Sequence, residues 1–418
     1  MIVKPFRGLR PREDLSSRIP SYPYDVVTSA EARQLAAGDP YSFLHVVKAE
    51  IDLDAEIDPY DDRVYARAAH NFSKMIENGW LVRDETPGYY VYRLTLDGKA
   101  QTGLVGAAAV RDYDEGRIKR HERTRPEKET DRVRLNDAIS AHPGIVFLAY
   151  TSLPEINALV SGVVAREPQV RFTATDGIEH ELWVVADPTV TSRIEALFRH
   201  IRVAYIADGH HRAAAAARVS AERITRSGGE VADDAPVRHF LAGFFPADQL
   251  RILEYNRVAR DLNGLEPEEL VSRIREAGFH VKAGYRAKRP ATPETFGMYV
   301  GGTWYQLAPQ AHLVPRDDPV RRLDVQILTD RILQPILGIG DLRTDRRIEF
   351  VGGSRGVTEL ERLVDSGEHA VAFALYPTRL TDVTNVADAG LVLPPKSTWF
   401  EPKLRSGMVV QLLDGEAL

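Results

Sequence analysis

The sequence of 418 residues contains no cysteine. This absence excludes disulfide bonds, thiolate metal sites and a cysteine nucleophile, and it fits a cytoplasmic protein. The first residues lack the apolar region of a signal peptide, and no run of about 18 apolar residues is present to span a bilayer. We therefore expect a soluble, cytoplasmic protein with no membrane partner.

The chain also lacks an excess of basic residues. It has 54 Lys and Arg against 60 Asp and Glu, which gives a net charge of −6 and a pI near 6.1. A nucleic-acid partner is therefore disfavoured, because such binding rests on a broad basic surface. The P-loop, dinucleotide, zinc-protease, serine-hydrolase and protein-kinase motifs are all missing. If the chain transfers phosphate, it uses another scaffold.

Strand-like and helix-like segments alternate along the chain and predict an α/β fold of mixed α+β character. The length predicts more than one domain. We place the boundary near residue 250. Residues 1–250 then form an N-terminal and core region, and residues 251–418 form a C-terminal α/β region.

The most informative motif is Asp208-Gly209-His210-His211-Arg212. It follows a β-branched run and precedes the alanines 213–217, which predicts a strand, a tight turn and a helix. A helix N-terminus favours an anion, and arginine adds a bidentate fork for phosphate or carboxylate. The alternative is a structural turn in which Asp208 only caps the helix.

A second polar cluster comprises Lys119, Arg120, His121 and Glu122. Glu122 lies among cations that favour its ionised form, as a general base for a hydroxyl requires. The alternative is a solvated, charged loop that leads into a helix.

A third cluster lies near the C-terminus, in a proline-flanked stretch with Lys396, Ser397, Thr398 and Lys403. Lysines and hydroxyls in a rigid loop suit a phosphate or another polar ligand. The alternative is a tail that merely docks on its domain.

These clusters together resemble the family known as domain of unknown function 1015. The resemblance rests on Lys4-Pro5-Phe6-Arg7-Gly8, Pro23-Tyr24-Asp25-Val26-Val27, Asn71-Phe72, Ile118 to Glu122, Tyr205 to Arg212 and Pro394 to Lys403. The Asp-Gly-His-His-Arg turn is also similar to that of the SerK-type free serine kinases. The resemblance implies a ParB/sulfiredoxin-like core that carries this turn, with additional N-terminal and C-terminal α/β elements.

The resemblance also implies a reaction, the phosphorylation of free L-serine to O-phospho-L-serine with Mg²⁺ and ATP, ADP or pyrophosphate. Glu122 would match the carboxylate that takes the hydroxyl proton, and Asp208 the acid that orients the nucleophile or holds Mg²⁺. His210, His211 and Arg212 would hold the donor phosphates, with Gly209, His121, Lys119 and Arg120 beside them. Lys396, Ser397, Thr398 and Lys403 would close over the ligand.

Two other functions stay open at this stage. A nucleotide-responsive, ParB-like DNA-binding regulator would need a basic stripe around residues 117–134. A metal-dependent hydrolase would use Asp208, His210, His211 and His121. The sequence does not name the phosphate donor or the acceptor, and a homo-oligomer stays open as well.

Overall fold

The computed structural model describes residues 1–415 and 418 as two compact units. The first unit comprises Met1–Leu250 together with Pro402–Leu418, and the second comprises Arg251–Glu401. The C-terminal tail therefore belongs to the first unit, and the assignment of residues 402–418 to the second region was wrong. The physical reason is strand pairing, since Gln411–Leu412 pairs with Ala141–His142, and Val410 bridges Leu9.

Strands and helices are numbered along the whole chain. The strands of the first unit are β1 Val3–Lys4, β2 Leu9–Pro11, β3 Leu81–Arg83, β4 Tyr89–Leu96, β5 Lys99–Ala109, β6 Ile118–Lys119, β7 Ala141–His142, β8 Val146–Tyr150, β9 Val170–Thr173, β10 Glu179–Val185, β11 Ala204–Asp208, β12 His239–Pro246 and β21 Gln411–Leu412. Its main sheet has the order β6-β11-β8-β12-β5-β4-β10-β9, and β1 pairs with β5. β6 runs parallel to β11 and β12 runs parallel to β8.

The helices of the first unit are α1 Ser29–Leu35, α2 Leu44–Val47, α3 Asp62–Glu77, α4 Val110–Asp114, α5 Pro126–Ile139, α6 Pro154–Val164, α7 Pro188–Phe198 and α8 His210–Arg226. α5 begins at a proline and carries acids in its first turn, both of which favour a helix N-terminus. On α8, Ala213, Ala215 and Ala216 are buried, so the helix packs closely on its neighbours.

The second unit is built on an antiparallel sheet of order β15-β17-β16-β19-β14-β18. Its strands are β13 Arg251–Leu253, β14 Tyr255–Ala259, β15 Phe279–Ala283, β16 Phe296–Val300, β17 Thr303–Pro309, β18 Ile348–Gly352, β19 Val371–Ala374 and β20 Trp399–Glu401. Its helices are α9 Pro267–Glu276, α10 Asp324–Leu328, α11 Gly356–Asp365 and α12 Leu380–Asp388. The predicted mixed α/β fold is confirmed. Within residues 1–415 and 418, no helix combines the length and apolar character needed to cross a bilayer.

Candidate active site

Two parallel strands bring the first two polar clusters together. In β6 and β11, Ile118 pairs with Ala204 and Lys119 with Tyr205. The chain leaves both strands at the same end of the sheet, because the strands are parallel. His121 and Glu122 therefore lie beside the turn from Asp208 to Arg212.

Gly209 forms the turn between β11 and α8. Its φ is 97°, in the left-handed region, and a Cβ at this position would lie 2.9 Å from Arg212 Nε. Only glycine adopts this conformation at little cost. The turn directs the first backbone N–H groups of α8 towards the end of the sheet, where they can bind an anion.

Asp208 lies between two cations. Its Oδ1 is 2.7 Å from Lys403 Nζ, and its Oδ2 accepts a hydrogen bond from the Arg212 guanidinium. Burial raises the pKa of the Asp208 carboxyl, but Lys403 and Arg212 outweigh burial and hold the pKa well below its usual value. The three side chains together carry one net positive charge at the N-terminus of α8.

Arg212 also connects this ion cluster to the interior of the first unit. Its guanidinium donates to the Ile145 carbonyl, whereas its Nε has no hydrogen-bond partner among residues 1–415 and 418. The side chain lines a cavity of about 380 Å³ together with Tyr24, Arg132, Asn136, His142 and Ser406. Arg212 is therefore held in place by protein acceptors.

His210 links Glu122 to the backbone. Its Nε2 accepts a hydrogen bond from the His121 N–H at 3.4 Å, so the neutral ring carries its proton on Nδ1. That Nδ1 lies 3.7 Å from Glu122 Oε2, and the Glu122 side chain is 48% exposed. Glu122 is thus open to a substrate on one side and faces a neutral donor on the other.

The other two histidines are held in similar ways. His211 Nε2 accepts the Arg125 N–H at 3.0 Å. The His121 ring packs edge-on against His210 with centroids 4.4 Å apart, and neither of its ring nitrogens has a hydrogen-bond partner in the described part of the chain. Burial lowers the pKa of all three histidines, to about 4 for His121. At neutral pH they are uncharged donors and acceptors rather than cations.

The remaining predicted residues have contacts of their own. Lys119 is on β6, and the exposed Arg120 packs 5.9 Å from the centre of the Tyr113 ring. Lys396, Ser397 and Thr398 belong to the second unit, whereas Lys403 belongs to the first. Lys396 Nζ lies 5.5 Å from the centre of the Tyr255 ring, and the Ser397 hydroxyl donates to the Pro394 carbonyl at 2.6 Å.

The residues around Asp208 do not fit a resident magnesium ion. Magnesium requires oxygen ligands, but each Asp208 oxygen is already bound by a cation. Among the described residues, no group of three or more His, Asp or Glu side chains is placed to hold a metal. We therefore derive no step through a protein-bound magnesium ion.

Sequence reasoning missed the backbone groups of the site. The amides of His121 and Arg125 fix the two histidines of the turn, and the Ile145 carbonyl fixes Arg212. Only the pairing of β11 with β6 and with β8 brings these groups together, and the sequence contains no local signal for that pairing. The assembled site offers a carboxylate that can take a proton, next to a helix N-terminus and a net cation that can hold an anion.

Comparison with known proteins gives a family match and low similarity to solved structures. Residues 3–326 match the family model described as a protein of unknown function, DUF1015. No curated protein sequence matches the chain. A free serine kinase variant in complex with AMP has 12% identity and a TM-score of 0.34, covering 73% of this chain and 92% of that one. A conserved hypothetical protein from Pyrococcus furiosus has 12% identity and a TM-score of 0.33, covering 71% and 90%. C-terminally truncated SbnI from Staphylococcus aureus has 12% identity and a TM-score of 0.32, covering 74% and 87%.

Proposed function

We propose that this chain, which belongs to the DUF1015 family of proteins of unknown function, is a kinase that phosphorylates the hydroxyl of free L-serine. The donor is ATP, ADP or pyrophosphate. The observation that carries the proposal is the contact between Glu122 and His210 at the N-terminus of α8. It combines a carboxylate that can accept a hydroxyl proton with a position that can hold a phosphate.

The reaction requires little more than these two functions. Phosphoryl transfer depends mainly on positioning and on electrostatic stabilisation of the transferred group. Glu122 takes the proton from the serine hydroxyl as its oxygen attacks the terminal phosphorus of the donor. The bond to the leaving phosphate breaks, and the negative charge stays on the departing group.

The N-terminus of α8 and the net positive cluster of Asp208, Arg212 and Lys403 bind the donor phosphates. In this proposal Asp208 orients the two cations, because both of its oxygens are bound by them. The His210 Nδ1 faces Glu122 Oε2 at 3.7 Å, and His211 can offer its Nδ1–H to the donor. Magnesium would arrive with the donor phosphates, which are its usual partners in kinase sites.

The charged groups around the site favour this function over the two alternatives. A DNA-binding face would use the eight Lys and Arg side chains of residues 117–134, of which Arg117 pairs with Asp112, Arg132 with Asp131 and Arg134 with Asp62. A hydrolytic metal centre would need free ligand atoms. The Asp208 oxygens and the Nε2 atoms of His210 and His211 are already bound by protein groups.

The proposal is tested by pairing donors with acceptors on the purified protein in the presence of Mg²⁺. ATP, ADP and pyrophosphate are each combined with L-serine, L-threonine and L-homoserine, and the product is identified by mass spectrometry. We expect O-phospho-L-serine with at least one donor. Absence of any phosphorylated amino acid from folded protein contradicts the proposal.

The role of Glu122 is tested by Glu122→Gln, with the exposed Glu127→Gln on the same segment as the matched control. Loss of the base should lower turnover about 10²- to 10⁴-fold while donor affinity changes little. Glu127→Gln should keep wild-type turnover. If Glu122→Gln abolishes donor binding and also lowers the melting temperature, Glu122 has a structural role and its assignment as the base fails.

A further inference from the structure

The second unit contains a cavity that the proposed kinase reaction does not use. Both acidic and basic side chains line it, namely Glu294, Asp324, Asp382, Arg322 and Arg379, with Tyr376 beside them. All of these residues belong to the second unit, whereas the candidate active site belongs to the first.

Two of the acids in this cavity already have cation partners. Asp382 accepts two hydrogen bonds from Arg379, at 2.8 and 2.9 Å. The Glu294 carboxylate accepts two from Arg316, both at 3.1 Å. These pairs cancel their own charges and leave Asp324 and Arg322 as the groups that decide what the cavity attracts.

Asp324 is an acid without a cation partner. Its two oxygens accept the Glu294 N–H at 3.0 and 3.1 Å, and it forms no ion pair among residues 1–415 and 418. The pKa of Asp324 is raised to about 7, chiefly by burial and also by the neighbouring carboxylates Glu294 and Asp382, while the Glu294 N–H and Arg379 oppose the rise. The cationic group of a ligand would stabilise the ionised carboxylate at this position.

Arg322 is the complementary group. Its side chain lines the cavity and forms no hydrogen bond or ion pair with the described residues. A guanidinium in this state offers a bidentate fork to a ligand carboxylate. The cavity therefore presents one unneutralised acid and one unneutralised base.

We propose that this cavity binds a free α-amino acid, with the ligand ammonium on Asp324 and the ligand carboxylate on Arg322. A zwitterion matches the two unpaired charges, and Leu323, Pro293 and Pro377 provide apolar walls for a small side chain. The proposal does not depend on the kinase function, because no residue is shared between the two sites.

Isothermal titration calorimetry on the full chain tests the proposal. The ligands are L-serine, L-alanine and L-leucine, with ethanolamine and L-lactate as probes that each lack one of the two charges, and inorganic phosphate as an anion probe. We expect at least one amino acid to bind at least tenfold more tightly than ethanolamine, lactate and phosphate. Equal binding of the single-charge probes, or preferential binding of phosphate, overturns the proposal.

Variants of the cavity separate this site from the active site. Asp324→Asn and Arg322→Gln should each weaken amino-acid binding about tenfold or more, while Arg321→Gln, a neighbour that does not line the cavity, should leave it unchanged. Arg322→Gln keeps the test decisive if Asp324→Asn fails to fold. L-Serine binding that survives both variants but is lost in Glu122→Gln belongs to the active site and contradicts the proposal.

Proton release gives an independent readout for Asp324. With a pKa of about 7, this carboxyl is about half protonated at pH 7. A bound ammonium lowers that pKa, so binding at pH 7 should release up to about half a proton, measured in two buffers of different ionisation enthalpy. Binding without proton release in the wild-type protein contradicts the contact between the ammonium and Asp324.

Discussion

At the scale of single residues, Gly209 is the point where backbone conformation and side-chain chemistry meet. Its left-handed φ of 97° orients α8, and its lack of a Cβ leaves room for the Arg212 guanidinium 2.9 Å from the ideal Cβ position. The ion cluster of Asp208, Arg212 and Lys403 therefore depends on a glycine that touches no ligand itself.

The substitution Gly209→Ala should destabilise the protein and lower turnover. An alanine in the left-handed region costs about 1 to 2 kcal/mol, and here its methyl group would also displace Arg212. Gly228→Ala is the matched control, because Gly228 has a similar φ of 85° but no atom within 4 Å of its Cβ position. Urea unfolding and the kinase assay measure the two effects. If both variants lose the same free energy of unfolding and keep wild-type turnover, the contact between Gly209 and Arg212 contributes to neither stability nor turnover.

The histidines of the turn show what residue type alone leaves open. The resemblance implied that His210, His211 and Arg212 would hold the donor phosphates. In the structure, burial lowers the pKa of both histidines, and backbone amides bind their Nε2 atoms. Burial and a distant amide decide the charge of a histidine, and neither can be read from the five-residue motif.

At the scale of elements, the close packing of α8 sets the position of the site. Ala215 is fully buried and belongs to a small cluster with Val133, Val219 and Leu413. The methyl side chain lets α8 lie close to α5 and to the C-terminal tail that also carries Lys403. The alanines after the motif are therefore part of what holds the motif in place.

The substitution Ala215→Leu should overpack this contact and cost about 1 to 3 kcal/mol. It should also weaken donor binding, because α8 and the tail would be pushed apart. Ala221→Leu on the exposed side of the same helix serves as the control and should change stability by no more than about 0.5 kcal/mol. Thermal unfolding and donor titration measure both outcomes, and equal effects of the two leucines would contradict this account.

Elements with clear local signals are predictable from the sequence, and elements with conflicting signals are not. The strand before Gly209 and the helix after it follow from β-branched residues, glycine and alanines, and the structure has β11 and α8 there. Residues 324–333 do not form one regular α-helix, because the α-helix ends at Leu328 and continues as a wider π-helical turn over Thr329–Leu333. Pro335 explains the early end, because proline lacks the N–H that an α-helix needs. α6 was missed, since its valines and isoleucine also favour strands.

At the scale of the whole molecule, the first unit is completed by a segment about 150 residues beyond the rest of it. The tail brings Lys403 to Asp208 and adds β21 to β7. No local pattern reveals such a return of the chain, which is why Lys403 was predicted as part of one loop with Lys396. The structure assigns Lys396 to the second unit and Lys403 to the first, where Lys403 Nζ lies 2.7 Å from Asp208 Oδ1.

The buried histidines of the first unit predict how its stability depends on pH. Burial lowers the pKa of His121 and His142 to about 4 and that of His180 to about 3. The unfolded chain, with histidine pKa values near 6.5, binds more protons than the folded chain between these values. The stability that the neutral histidines contribute is therefore complete above about pH 6.5 and is lost as pH falls towards their folded pKa values.

His121→Phe isolates one of these contributions, because a phenyl ring can keep the edge-on contact with His210 and cannot be protonated. Between pH 7 and pH 5 the wild-type protein should lose about 2 kcal/mol of unfolding free energy through His121 alone, and the variant should lose that much less. Urea unfolding is monitored by tryptophan fluorescence. Both proteins carry Trp304→Phe and Trp399→Phe, so that the remaining Trp80 and Trp183 report on the first unit. Parallel pH profiles for the two proteins would mean that His121 is protonated in the folded state, and the neutral histidine network around Glu122 would have to be abandoned.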